Sequence, residues 1–346
     1  MEQALEHGLP QVEIRFRNLS VVANVQVNST SEEDGQGVEL PTLANDFKRK
    51  FARLTATKRH VRKQILNDVS GVFKPGTMTL VLGQPGSGKS TLMKLLSGRL
   101  PTTKNVQVDG EVSYNGKDHA AVLDRLPQVV SYVPQRDEHL NLLTVNETLD
   151  FANSFCPPGS VGDAAGGVDL KATTDLVEHF PSVMVQQLGL QNCQDTVIGD
   201  DMLRGVSGGE RKRVTLGEME FGLRSATFMD EISTGLDSAT TFDIIKTQRS
   251  IAGNLRKTIV IGLLQPAPEV FELFDDVMLL NDGEVMYYGP TTRAEQYFAD
   301  LGYHRPPDRD VADFLLDIGT PQQAQYEVPT ERVALQLPHL PNEFAE

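Results

Sequence analysis

Val12, Ile14 and Phe16 alternate with Glu13, Arg15 and Arg17, the period of a half-buried strand, and the pattern predicts strand over residues 11–27. A polar, glycine-containing stretch at 28–38 reads as a loop. Phe47, Phe51 and Leu54 then fall at i, i+4 and i+7 behind Asn45 and Asp46, so the segment 48–63, with eight Lys and Arg and no acid, predicts a short basic amphipathic helix. The apolar run Met78–Leu82 predicts a buried strand, followed across a glycine-rich turn by a helix from Ser90. Asn115-Gly116 and Asp282-Gly283 lie between β-rich runs and predict hairpin turns. Residues 140–224 carry helical patterning interrupted by Pro157-Pro158-Gly159 and a glycine-rich stretch at 162–167, the pattern of a helical subdomain inserted into an α/β core. Ala226–Asp230 and Thr258–Leu264 predict two more buried strands around a helical pattern over 237–252, and this alternation predicts a parallel sheet. The Gln- and Pro-rich residues 321–346 predict an extended tail behind a folded domain spanning 1–320.

A content of 39% hydrophobic and 23% charged residues in 346 is a globular balance with enough chain for a sizeable core. The net charge of −15 argues against nucleic acid as a partner, because phosphate backbones are bound by clustered cations. No apolar run approaches the roughly 18 residues of a spanning helix. The best candidate, Thr258–Leu264, is cut off by Gln265 and Pro266, so no transmembrane segment is expected. The first residues lack the basic-then-apolar order of a secretory signal. Cys156 and Cys193 are too few for a disulfide framework and stand at no metal-ligand spacing, which fits a reducing, cytoplasmic setting. The seven histidines show no pairing and read as surface or core filler.

Gly83-Gln84-Pro85-Gly86-Ser87-Gly88-Lys89-Ser90, running on into Thr91, follows a predicted strand and opens a predicted helix, the context of a phosphate-binding loop. Glycines let backbone N–H groups converge on phosphates at a helix N-terminus, Lys89 reaches the β and γ oxygens, and the Ser90 hydroxyl is a ligand for Mg²⁺. A nucleotide site needs a second metal anchor. Asp230, at the tip of a buried strand, supplies that carboxylate, and Glu231 after it can orient or deprotonate an attacking water. Ser207-Gly208-Gly209, just before a helix, is an anion-binding N-terminus in such a protein.

Val206-Ser-Gly-Gly-Glu-Arg-Lys-Arg213 resembles the signature motif of ATP-binding-cassette (ABC) ATPases. The motif order is also similar: P-loop, Tyr132-Val-Pro-Gln135 resembling the Q-loop, signature, Asp230-Glu231, and Leu236-Asp237 resembling the D-loop. Longer strings narrow the likeness: Asp195-Thr-Val-Ile-Gly-Asp200, the run Arg204–Glu218, the run Phe228–Ser238, and Leu263-Leu-Gln-Pro-Ala-Pro-Glu269 with Phe274-Asp-Asp276. Over about residues 11–320 these resemble the first nucleotide-binding domain of full-size pleiotropic-drug-resistance transporters of the G subfamily.

The resemblance implies an α/β P-loop NTPase with an antiparallel β subdomain, built from the N-terminal strands and a 104–116 hairpin, and an α-helical subdomain carrying the signature. It implies ATP and Mg²⁺ as ligands, with Gln135 serving both catalysis and metal, and a head-to-tail dimer with a second nucleotide-binding domain in which Ser207, Gly208 and Gly209 close over the partner's nucleotide. It further implies transmembrane-domain partners, export of small amphipathic compounds, and a place on the cytoplasmic face of a membrane, the plasma membrane, with the tail stopping near the connector to the first transmembrane domain. Two positions depart from the family pattern. Leu264 stands where a switch histidine is usual, and no aromatic for adenine stacking lies near Val22 to Asn24. A soluble ABC ATPase without a transport role, and a nucleotide-binding subunit with little turnover of its own, are the alternatives.

Overall fold

The computed structural model describes residues 11–28, 58–101, 105–155, 170–200, 202–222 and 224–327. Its centre is a six-stranded mixed sheet in the order β10-β9-β3-β8-β7-β6. The strands are β3 (Met78–Leu82), β6 (Val130–Val133), β7 (Ala226–Asp230), β8 (Thr258–Gly262), β9 (Asp276–Asn281) and β10 (Glu284–Pro290). Five run parallel, as the βα alternation predicts, and β10 returns antiparallel to β9 through the Asp282-Gly283 turn. β3, β7 and β8 are buried on both faces, which explains their unbroken apolar sequences.

The strand period divides each of them between two cores. Met78, Leu80, Ile259, Ile261 and Met229 face one apolar cluster, whereas Val81, Val260 and Phe228 face the other. The first cluster is closed by α5 (Ser238–Leu255), α6 (Thr291–Asp300) and α7 (Val311–Asp317). The second is closed by α1 (Lys89–Leu96) and by an antiparallel sheet, order β2-β1-β4-β5, of β1 (Ile14–Asn28), β2 (Lys58–Phe73), β4 (Val106–Tyr114) and β5 (Lys117–Asp118). A third, smaller core joins α2 (Val145–Ser154), α3 (Leu170–Gln187) and α4 (Gly208–Glu220) around Leu149, Met184 and Val214. This is the inserted helical subdomain. Its α4 is tied back to the main sheet by a buried ion pair, Lys257 Nζ to Glu220 Oε2 at 2.5 Å.

Two expectations are corrected. The basic segment 48–63 is not helical at its C-terminal end: from Lys58 it is β2, paired antiparallel with β1 (Ala23 opposite Lys63, Asn24 opposite Arg62), and residues 48–57 lie outside the described residues. In the described part, ladder hydrogen bonds to β1 hold the chain extended, and Phe47, Phe51 and Leu54, which carry the helical spacing, lie outside the described residues. The packed body also runs past residue 320. Pro321–Tyr326 form a 3-10 turn, the ring of Tyr326 packs 5.0 Å from that of Phe314, its hydroxyl donates to Asp317 at 2.5 Å, and Tyr303 bridges to Glu327. Cys156 lies outside the described residues, and Cys193 is buried, its thiol pushed up to about 11 chiefly by that burial.

Candidate functional site

The loop 83–88 joins β3 to α1 over the C-terminal edge of the parallel strands, where open α/β sheets take their ligands. Gly88 sits at φ +100, and a side chain there would strike Leu66 and the carbonyl of Ile65, so the turn into the helix demands glycine. Around Gly86, by contrast, nothing lies within 4 Å of where a side chain would begin. The loop is thus crowded underneath and open above. Lys89 is 3% exposed, and its ammonium donates to the carbonyls of Gly83 (2.7 Å) and Gln84 (3.2 Å). Burial holds its pKa below the ordinary lysine value, partly offset by the charges of Glu231 and Asp230. Ser87 Oγ is buried with no hydrogen-bond partner among the described residues. Gln84 reaches away from the loop, its amide donating to Leu316 O at the end of α7 (3.0 Å), and beside it Asn281 donates to Gly319 O (2.9 Å).

Asp230 ends β7 at 4% exposure, accepting from Ser90 Oγ (3.0 Å) on one oxygen and from the Tyr132 hydroxyl (2.8 Å) on the other. The Tyr132 phenol is pushed well above its ordinary pKa, first by burial and then by that bond to Asp230, so it stays a donor. Glu231 turns away. Its backbone is left-handed at φ 48, its N–H donates to Gly262 O (2.9 Å), and its carboxylate accepts from Gln135 Nε2 (2.8 Å). A non-glycine residue held there stores about 1–3 kcal/mol of strain, which functional sites tolerate. The Asp230-Glu231 pair thus points one acid at the P-loop serine and the other at Gln135. Thr91, in the first turn of α1, is half-buried behind Ser90.

Ser207 caps α4 by a reciprocal box: its Oγ accepts from Glu210 N (3.3 Å), and its own N–H donates to Glu210 Oε2 (2.8 Å). Ser207 and Gly208 are exposed, and among the described residues no hydrogen bond joins this turn to residues 83–90. One chain therefore brings together Lys89, Ser90, Gln135, Asp230 and Glu231 but leaves Ser207-Gly208-Gly209 facing outward.

Residue patterns alone gave no role to Tyr132, Lys212, Asp137, Thr215 or His139. Tyr132 was visible only as part of the Gln135 motif. Lys212 reads as an ordinary helix cation, yet it is buried, its ammonium 2.7 Å from Asp137 Oδ1 and donating to Gln135 O at 3.0 Å. His139, one of the histidines that show no pairing in the sequence, stands 2.9 Å from Thr215 Oγ1 and 3.2 Å from Glu218. Leu264 is half-buried after β8 and offers no polar atom on its side chain.

Residues 66–234 match the family model described as ABC transporter, the span from the middle of β2 to just past Glu231. The chain has the fold of an ABC ATPase cassette. A second model, described as ABC-2 type transporter, matches residues 264–338. Among curated proteins the cassette is 41% identical over 346 residues to ABC transporter G family member 31 of Arabidopsis thaliana, and 40% identical over 348 residues to ABC transporter G family member 51 of Oryza sativa subsp. japonica. Each match covers 92% of this chain and 23% of the relative, so the cassette spans about a quarter of the length of the curated relatives it matches. A solved ATP-binding cassette, described as a dimeric post-hydrolysis state bound to ADP and Pi, superposes with a TM-score of 0.54 at 17% identity, covering 80% of this chain and 98% of that one. That likeness concerns the fold. No helix among the described residues is long and apolar enough to cross a membrane.

The cassette's residues fit Mg·ATP. The unpartnered Ser87 hydroxyl and the open side of Gly86 leave polar and steric room above the loop, and the Ser90 hydroxyl with the Asp230 carboxylate is a hard-oxygen pair suited to Mg²⁺. Among the described residues no group of three or more His, Cys, Asp or Glu could hold a metal alone, so a cation here would complete its shell from water and phosphate.

Proposed function

We propose that this cassette binds and hydrolyses Mg·ATP to drive export of small amphipathic compounds, as the first nucleotide-binding domain of a full-size, pleiotropic-drug-resistance type transporter at the plasma membrane. The observation that carries the reading is the convergence of Lys89, Ser90 and Asp230 below an open glycine loop. Lys89 would neutralise phosphate oxygens, while Ser90 and Asp230 would hold Mg²⁺, whose charge offsets that developing on the transferred phosphoryl group. Glu231, steadied by Gln135, would accept the proton of the attacking water. Ser207 and Gly208, exposed on their own chain, would with the half-buried Gly209 close over the nucleotide of a second cassette. Membrane-domain partners are supported by exposed apolar side chains in and after the Gln135 loop: Leu140 and Leu142 (79% exposed), Met202 on a second loop, and the Phe151–Phe155 ring pair at the end of α2. Asn141, donating to Asp200 at 2.6 Å, fastens two of these loops together.

Lys89→Ala should lose at least about tenfold in Mg·ATP affinity by calorimetry, since phosphate oxygens would then lack their charged donor. Unchanged affinity overturns the assignment of the loop.

A further inference from the structure

The side chains at 212, 215 and 218 stand at three-residue intervals along α4 and all meet the loop that follows β6. Lys212, 2% exposed, donates to Gln135 O and pairs with Asp137. Thr215 Oγ1 donates to the same Asp137 oxygen at 2.7 Å, and His139 fills the space between Thr215 and Glu218. Asp137 alone would neutralise the lysine. The bond to the carbonyl of Gln135 adds nothing to charge balance, and it falls on the one loop residue whose side chain holds Glu231.

We propose that Lys212 is a positioning residue for ATP hydrolysis: by fixing the backbone of Gln135 it keeps the Gln135 amide on Glu231, and so ties the water-directing carboxylate of this chain to the helix that begins with Ser207-Gly208-Gly209. The proposal rests on the reading of Glu231 and Gln135 given above. Its consequence is directional. A shift of α4 when its N-terminus engages a partner's nucleotide moves Lys212 with it, and the Gln135–Glu231 contact in the chain's own site follows.

The test uses Lys212→Met, the charge-neutral double variant Asp137→Leu/Lys212→Met, Gln135→Ala, and Lys212→Met in the Gln135→Ala background. Hydrolysis is measured at saturating Mg·ATP and at protein concentrations where association is complete, ATP affinity by calorimetry, and amide hydrogen exchange on the nucleotide-free chain. Lys212→Met should lower kcat by about tenfold to a hundredfold, the scale of a misplaced catalytic group, with ATP affinity nearly unchanged. Exchange should rise at 135–139 and stay unchanged at 83–90. The charge-neutral double variant, which leaves no unpaired carboxylate to destabilise the fold, should remain equally slow, and with Gln135 already removed Lys212→Met should change kcat by less than about twofold. Full recovery of turnover in the double variant overturns the proposal, as does an undiminished effect in the Gln135→Ala background. Unchanged exchange at 135–139 in Lys212→Met overturns it whatever the activity. Absence of Lys89-dependent hydrolysis in the unmodified protein instead defeats the reading it rests on, and the exchange measurement still decides whether Lys212 holds the loop.

Discussion

At the scale of single residues the phenol of Tyr132 is the informative case. It occupies one oxygen of Asp230 while Ser90 occupies the other, so it limits how that carboxylate can turn toward a cation. Tyr132→Phe removes a hydrogen bond to a charged group, of a kind worth about 1.5–3 kcal/mol. The Mg²⁺ concentration that half-saturates ATP hydrolysis should rise about tenfold or more, while ATP affinity measured in EDTA stays as it was. Sequence patterns reach the chemistry here unevenly, and distance along the chain is the reason. Gly83 to Ser90 are contiguous and announce themselves, and Asp230-Glu231 are marked by the buried strand before them. Tyr132 is 98 residues from Asp230 and Lys212 is 77 from Gln135, pairings created only when β6, β7 and α4 assemble. No local period encodes them, because a tyrosine in a strand and a lysine in a helix are ordinary in both places.

Elements behave as the patterns say where the period is satisfied locally and depart where a neighbour decides. α1, α5 and the parallel strands β3, β7 and β8 follow from apolar runs and glycine turns, whereas β6 is too short to announce itself and β2 is a strand beside β1, a fact absent from its own residues. α4 depends on both of its ends. At its start the Glu210 carboxylate is held below its ordinary value of 4.5, chiefly by the Ser207 N–H. A depressed carboxylate contributes stability that is complete above its unfolded value and lost as pH falls through the lower, folded one. Amide protection over the first turn of α4 should therefore weaken on acidification below 4.5, and Glu210→Gln should remove that pH dependence. Ser207→Ala should cost about 1 kcal/mol in an unfolding titration. At the other end Lys257 and Glu220 are 1% and 6% exposed in their side chains. Lys257→Met alone strands a buried carboxylate and should cost about 3–5 kcal/mol, while Glu220→Leu/Lys257→Met should regain most of that loss in the same denaturation measurement.

For the molecule as a whole, the Ser207-Gly208-Gly209 turn, joined by no hydrogen bond to residues 83–90 among the described residues, fits the proposed head-to-tail pairing, in which one chain would hold half of each of two sites. In dilute solution ATP turnover should climb with the square of protein concentration, which a dilution series checks directly. In that reading Leu264 would weaken the chain's own half, since its side chain lacks a donor of the kind that typically contributes about 2.7–4 kcal/mol to a transition state. Joined to a second, different cassette, Glu231→Gln should then leave most turnover in place while Ser207→Arg abolishes it, whereas in the self-associated chain, where every site is built on Glu231, the same Glu231→Gln should abolish turnover; the opposite ranking in the mixed pair would show that the chain's own site dominates. The last turn among the described residues has a mechanical consequence of its own. Tension entering the chain at Glu327 must first peel the bridge to Tyr303 and then draw Tyr326 off Phe314 and Asp317. The next link is Leu316, whose carbonyl is gripped by Gln84 inside the phosphate loop. The C-terminal turn is thus a tether spliced into the nucleotide loop, and in force spectroscopy anchored at Glu327 the first rupture should weaken in Gln84→Ala, while pulling from Gln11 leaves that variant and the natural chain alike.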